Sequence, residues 1–307
     1  MTAAIEVTGL RKSFRRIGRP PAEGLVSVDL EVQDAEIHGF LGPNGAGKTT
    51  TLRILTGLAG ADAGVVRVLG EPVPEALLRV VPRMGAVIES PRFASDLTAK
   101  QHLELLAISG GQPVPRCGEV LDLVAMREHE QRRIGEFSLG MRQRLAIAAA
   151  LLRSPSVLLL DEPMNGLDPA GMRDVKDLLI GLASSGVAVL LSSHNLADVE
   201  QICHRITVIN RGRTVARGSV ADVVSAFAEP HVVVTVKEHQ RGKARRRLLR
   251  AGYRVEEGPG GELLVLGECR PEELGPALAA ADIWPTALSV GHTLEDAFLA
   301  MTAEDTQ

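Results

Sequence analysis

Nine consecutive residues can cradle a phosphate chain: Gly42, Pro43, Asn44, Gly45, Ala46, Gly47, Lys48, Thr49 and Thr50. Positions 42–49 fit the pattern G-x-x-x-x-G-K-[ST]. Glycines let the backbone turn tightly, so that successive N–H groups point inward at phosphate oxygens. Lys48 adds a positive charge for the β and γ phosphates, and Thr49 offers a hydroxyl to Mg²⁺. The competing reading is a glycine-rich turn that matches by chance. Against it, the apolar strand pattern EIHGFL precedes the loop and the helical pattern TTLRILTGL follows.

Asp161 and Glu162 end the run VLLLDEP. Open α/β sheets place their sites at the carboxyl ends of strands. Two adjacent carboxylates there can divide the work. Asp161 can hold Mg²⁺ through water, and Glu162 can polarise the water that attacks a γ-phosphate. An acidic pair capping a surface strand is the bland alternative. Ser138 and Gly140, in FSLGMRQR, open the apolar helix RLAIAAALL, either to touch a phosphate or only to cap that helix. His194 ends the strand pattern VAVLLSSH, as a structural residue or as a γ-phosphate contact. Phe14, in LRKSF, is either a core aromatic or a stacking partner for adenine. Glu89 closes the short apolar run in RMGAVIESPRF, which Ser90-Pro91 then stops. Such a carboxylate is either a solvated strand terminus or a neighbour of a metal or phosphate.

These residues need a scaffold that brings strand ends together. The first two thirds of the chain alternate strand patterns (IEVTGL, LVSVDLEV, EIHGFLG, VVRVLG, SVLLLDEP, VAVLLSSH, RITVINRGRTVARG) with helical ones over 49–56, 99–107, 118–124, 140–152 and 169–183. That alternation predicts an α/β layer architecture with a mostly parallel central sheet. The consecutive first strands predict a small antiparallel piece. Glu229-Pro230 breaks a closing helix, SVADVVSAF. A second cycle then reads strand HVVVTV, helix 241–251, two strands around Gly-Pro-Gly-Gly, helix 271–281, strand WPTALSV and helix 293–301. This βαββαβ order suits a small ferredoxin-like domain. The expected domains are therefore 1–222 and 229–307.

Bulk properties exclude several classes. At 307 residues the chain has room for two domains. Lys+Arg 34 against Asp+Glu 38 gives a net charge of -4, which disfavours a non-specific nucleic-acid binder. Cys117, Cys203 and Cys269 are widely spaced and read as reduced thiols. No run approaches the ~18 apolar residues of a membrane span, and the first residues lack a signal-peptide core.

The order Phe14, GPNGAGKTT, Glu89, FSLGM, LLLDEP, NGLD, SSH resembles the ATP-binding subunit of an ABC transporter, over roughly residues 3–220. The resemblance implies a P-loop NTPase fold: a mostly parallel core sheet, an antiparallel β piece and a helical subdomain, here followed by a small α+β C-terminal domain. It makes Gly42–Thr50 the Walker A loop, Asp161 the Walker B aspartate and Glu162 the catalytic glutamate. Asp168 in NGLDP matches the D-loop, His194 the switch histidine, Phe14 the adenine-stacking aromatic, and Ser138–Gly140 the signature motif. In this family the signature contacts ATP held by the opposite subunit. ATP and Mg²⁺ are thus the implied ligands, with Thr49, Asp161 and Glu89 around the metal and Lys48, Glu162 and His194 in catalysis. The implied assembly is a head-to-tail homodimer on transmembrane permease subunits, at the cytoplasmic face of the membrane. No nucleic-acid partner is expected, because the chain carries no coiled coil, zinc module or second cassette.

The chain departs from the family pattern in three places. The signature is FSLGM instead of LSGGQ, the usual glycine before EIHGFLG is Ala35, and the usual Q-loop glutamine is Glu89. The phrase GAVIESPRF followed by DLTAKQHLELLA resembles the bacitracin- and lantibiotic-resistance branch of exporters. The ending TLEDAFLAMT resembles the tails of the daunorubicin/doxorubicin-exporter type. Both imply efflux of an antibiotic or other drug.

Overall fold

Apolar runs that do not alternate mark strands covered on both faces. In the computed structural model, which describes residues 3–16, 19–89, 92–258, 260–267, 269–291 and 293–303, three such runs form the centre of one large sheet. They are β3 (Ile37–Leu41), β7 (Val157–Asp161) and β8 (Ala188–Ser193), each buried along its whole length. Ser90 and Pro91, read as the stop after Glu89, lie outside the described residues.

The chain divides into two compact units, Met1–Val220 and Ala221–Gln307. The first unit also contains β1 (Ile5–Arg16), β2 (Arg19–Val32), β4 (Ala63–Val68), β5 (Glu71–Pro72), β6 (Met84–Val87), β9 (Arg205–Asn210) and β10 (Arg213–Ser219). The strand order is β5-β4-β1-β2-β10-β9-β3-β8-β7-β6. Neighbours from β9 to β6 run parallel, whereas β9–β10, β1–β2, β1–β4 and β4–β5 are antiparallel. The first two strands are longer than their apolar cores predict. They pair as a hairpin from Ile5↔Val32 out to Arg16↔Arg19, so cross-strand bonding recruits polar residues that carry no strand pattern of their own.

The helices of this unit are α1 (Lys48–Leu55), α2 (Leu77–Val80), α3 (Ala99–Ser109), α4 (Arg116–Leu123), α5 (Leu139–Leu151), α6 (Pro169–Ser184) and α7 (Leu196–Ile202). Thr98 and Gln101 form a reciprocal capping box at the start of α3. Helices α3, α4 and α5 pack on one another, and α5 also packs on β6. This is the expected helical subdomain. Helix α8 (Val220–Phe227) begins at the division between the units.

Just before β3, Ala35 has φ 58, in the left-handed region that favours glycine. The turn geometry thus explains why a glycine is the usual residue there. Within β3, His38 is buried and bridges Glu36 Oε1 (3.0 Å) and Thr207 Oγ1 of β9 (2.9 Å). A neutral imidazole with its proton on Nδ1 satisfies both contacts.

The second unit runs β11 (His231–Thr235), α9 (Glu238–Arg250), β12 (Arg254–Glu257), β13 (Leu263–Leu266), α10 (Pro271–Ala279), β14 (Ala287–Gly291) and α11 (Leu294–Ala303). Its four strands form a separate antiparallel sheet in the order β12-β13-β11-β14. Val232, Val234, Leu263 and Val265 on the sheet meet Ala244, Leu248, Leu274 and Leu278 of α9 and α10 in a core of their own. The βαββαβ order read from the sequence is therefore the observed one.

Candidate active site

Three adjacent parallel strands, β3, β8 and β7, deliver the candidate residues to one edge of the sheet. Their register sets Leu41 beside Ser193, and Asp161 beside Ser192. The loop of residues 42–47 leaves β3, Glu162 follows β7, and His194 follows β8.

The loop is shaped by close packing from below. Gly47 has φ 111, and a Cβ there would lie 2.3 Å from Leu25 Cδ2. A Cβ on Gly42 would lie 2.4 Å from the Ile209 carbonyl oxygen of β9. Both positions therefore need glycine for space, and Gly47 also for its backbone angle. Helix α1 starts at Gly47 with no side-chain cap. Its first N–H groups are left for an anion, and the helix dipole favours one there. Pro43, Asn44, Gly45, Gly47, Lys48, Thr49, Thr50 and Glu162 line a cleft of about 250 Å³ above the loop. Ala46 is buried beneath it.

Lys48 is also largely buried, and its Nζ donates to the Gly42 carbonyl at 2.6 Å. Burial lowers the pKa of this ammonium, while the charges of Glu162 and Asp161 pull it back up. Glu162 Oε1 is 3.9 Å from Lys48 Nζ, and Glu162 Oε2 is 2.7 Å from His194 Nδ1. One carboxylate thus links the phosphate-loop lysine to the strand-end histidine. Glu162 itself has φ 49, an uncommon backbone state for a side chain of this size. A second cleft of about 130 Å³ continues from Glu162 and His194 to Asn165 and Asp198.

Thr49 Oγ1 donates to Asp161 Oδ2 at 2.8 Å. A hydroxyl and a buried carboxylate side by side are hard oxygen donors, the set that suits Mg²⁺. The structure does not bring Glu89 to them. Its carboxylate is instead ion-paired with Arg53 in the last turn of α1, and its own φ is 64. Phe14 is 43% exposed, so it is not a core aromatic. A Cβ on Gly24 would lie 2.4 Å from its ring, and Gly24 carbonyl oxygen in turn lies against Gly47. Phe14 is thus one backbone segment away from the phosphate loop.

Ser138 caps α5 by accepting from Met141 N at 3.3 Å, and Asp168 caps α6 by accepting from Gly171 N at 3.2 Å. Neither they nor Gly140 line the two clefts around Glu162. Ser192 is the residue that sequence reasoning passed over. Its hydroxyl donates to Asp161 Oδ1 at 2.5 Å and accepts from Glu162 N at 3.0 Å. A serine inside an apolar strand gives no local signal. Only the β7–β8 register reveals its role.

Comparison with known proteins bears on this arrangement. A family profile described as ABC transporter matches residues 25–165. The chain is 32% identical over 315 residues to the uncharacterized ABC transporter ATP-binding protein YhcH of Bacillus subtilis, covering 99% of this chain and 97% of that one. It is 37% identical over 215 residues to the bacitracin transport ATP-binding protein BcrA of Bacillus licheniformis, 69% of each chain. A solved structure of the ATP binding subunit of an ABC transporter superposes with a TM-score of 0.64 at 27% identity, over 74% of this chain and 93% of that one. The chain belongs to the ATP-binding proteins of ABC transporters. It is an ATPase of that class.

Proposed function

We propose that this protein is the ATP-hydrolysing subunit of an ABC efflux transporter that moves an antibiotic or other drug through separate membrane permease subunits. The observation that carries the hydrolytic reading is the convergence of Lys48, Asp161, Glu162 and His194 at the ends of three neighbouring strands. Lys48 and the N–H groups of α1 bind and neutralise the β and γ phosphates of ATP. Thr49 and Asp161 hold Mg²⁺, which when bound neutralises phosphate charge. Glu162 takes a proton from the attacking water. His194, hydrogen-bonded to Glu162 Oε2, orients that carboxylate and faces the γ-phosphate. Phe14 stacks on the adenine ring.

Ser138, Gly140 and Asp168 stand outside these clefts, which fits a role toward ATP on a second copy in a head-to-tail homodimer. Among the described residues no helix is long and apolar enough to cross a membrane. The proposed membrane path is formed by separate permease subunits, as the family membership of the chain suggests. In this reading the subunit works peripherally at the cytoplasmic face of the membrane. Export is supported by relatives named for bacitracin transport and for Nod factor export. The second unit serves as an accessory domain, for dimerisation or regulation.

Steady-state ATPase assays test the hydrolytic assignment. Glu162→Gln is expected to lower turnover by about 10²–10⁴ while ATP still binds, because the general base is lost. Unchanged turnover removes Glu162 from this role. Co-purification of a membrane permease with the tagged chain tests the transport reading, and its absence from solubilised membranes counts against it.

A further inference from the structure

The first unit contains a cleft of about 500 Å³ that shares no lining residue with the two clefts around Glu162. Leu123 from the end of α4 and Leu178 and Leu182 from α6 give it apolar walls. Its volume lies within the range of small-molecule sites, about 300–1,000 Å³. Three charged residues line it: Arg144 of α5, and Asp174 and Asp177 of α6. Arg144 is committed to Asp174, at 2.6 Å. Among the described residues no ion pair reaches Asp177, which leaves the lining with one unopposed negative charge.

Gly181 is a second, independent observation. It lies inside α6 and lines the cleft, and a Cβ there would meet nothing within 4 Å. Glycine in a helix interior costs about 0.5–1 kcal/mol relative to alanine. No crowding requires it here, and a side chain at this position would project into open space beside the cleft.

We propose that this cleft binds a small amphiphilic cation, with an apolar body and one ammonium group. The body covers Leu123, Leu178 and Leu182, and the ammonium pairs with Asp177. An anion is disfavoured, because the only guanidinium lining the cleft is already paired and Asp177 repels it. A lone lysine side chain from a partner protein would leave most of the apolar wall uncovered.

The test is a fluorescence titration of the full chain with dansylcadaverine, an aromatic body bearing one amine. Dansylglycine, with the same body and a carboxylate, is the control. The expected result is saturable binding of dansylcadaverine alone. Asp177→Asn, which keeps the side-chain shape, should weaken binding about tenfold or more. Gly181→Leu, which places a side chain in the cleft, should abolish it. Both variants should keep wild-type melting and basal ATP turnover. Should Gly181→Leu misfold, the Asp177→Asn comparison still decides. No saturable binding up to millimolar concentration, equal binding of dansylglycine, or unchanged affinity in Asp177→Asn overturns the proposal.

Discussion

Glu89 shows how one residue can have two claims on it. Its carboxylate lies with Arg53 in this structure, whereas a role near Mg²⁺ requires it to reach Thr49 and Asp161. The two positions compete, so Arg53 opposes any engagement of Glu89 at the phosphate loop. Glu89→Gln is expected to weaken the Arg53 contact and to change ATP turnover more than ATP affinity. Parallel measurements of turnover and nucleotide binding check this, and no change in either returns Glu89 to a surface role. His38 gives a prediction about pH. Burial holds it below the ordinary histidine pKa, although Glu36 pulls it upward. Burial by itself would raise Glu36, but hydrogen bonds from His38 and Gln33 N outweigh it and leave that carboxyl lowered. Below about pH 6.5 the unfolded chain therefore takes up a proton that folded His38 refuses. The contribution of His38 is full above that pH and falls as acid is added, by up to about 1.4 kcal/mol per pH unit. That of Glu36 is lost only at lower pH, as its own depressed pKa is passed. Melting curves between pH 7.5 and 5.5 should show a shallower decline in His38→Gln than in the wild type. Lys48, Thr49, Asp161 and Glu162 were legible in the sequence because loop spacing and strand-end chemistry single them out. Ser192 was not, because its function lies in a cross-strand register. Nor was the Arg53–Glu89 pair, which joins residues far apart in the chain.

At the scale of elements, burial on both faces made β3, β7 and β8 readable as unbroken apolar runs. The outer halves of β1 and β2 were not readable, since their order comes from pairing with each other. The turn into β3 offers a direct test of backbone strain. Ala35 adopts a left-handed conformation that costs a residue with a Cβ about 1–2 kcal/mol. Glycine removes that cost but loses more entropy on folding, about 0.5–1 kcal/mol. Ala35→Gly is thus expected to stabilise the protein by about 0.5–1 kcal/mol, measured by chemical denaturation. A loss of stability would mean that the alanine methyl contributes packing that outweighs the strain.

The whole molecule has two units, each with its own sheet and core. The restart of the strand–helix cycle after Glu229-Pro230 is readable in the sequence, whereas the second unit begins earlier, at Ala221. Its purpose was not visible, because no chemistry-bearing pattern marks it. Ending the chain after residue 220 is expected to leave ATP affinity close to that of the full protein, by equilibrium titration. Complete loss of binding would show that the second unit supports the first. The order of strands also constrains how the protein is made. The phosphate loop is synthesised early, yet Asp161, which accepts from Thr49, and Ser192, which donates to Asp161, come more than a hundred residues later. A ribosome that stalls between these points holds a chain that has the loop but lacks β7 and β8, and also β9, whose Ile209 packs under Gly42. The β3–β8–β7 seam can close only once β8 has been made, so the carboxylates of the site join the phosphate loop late in synthesis.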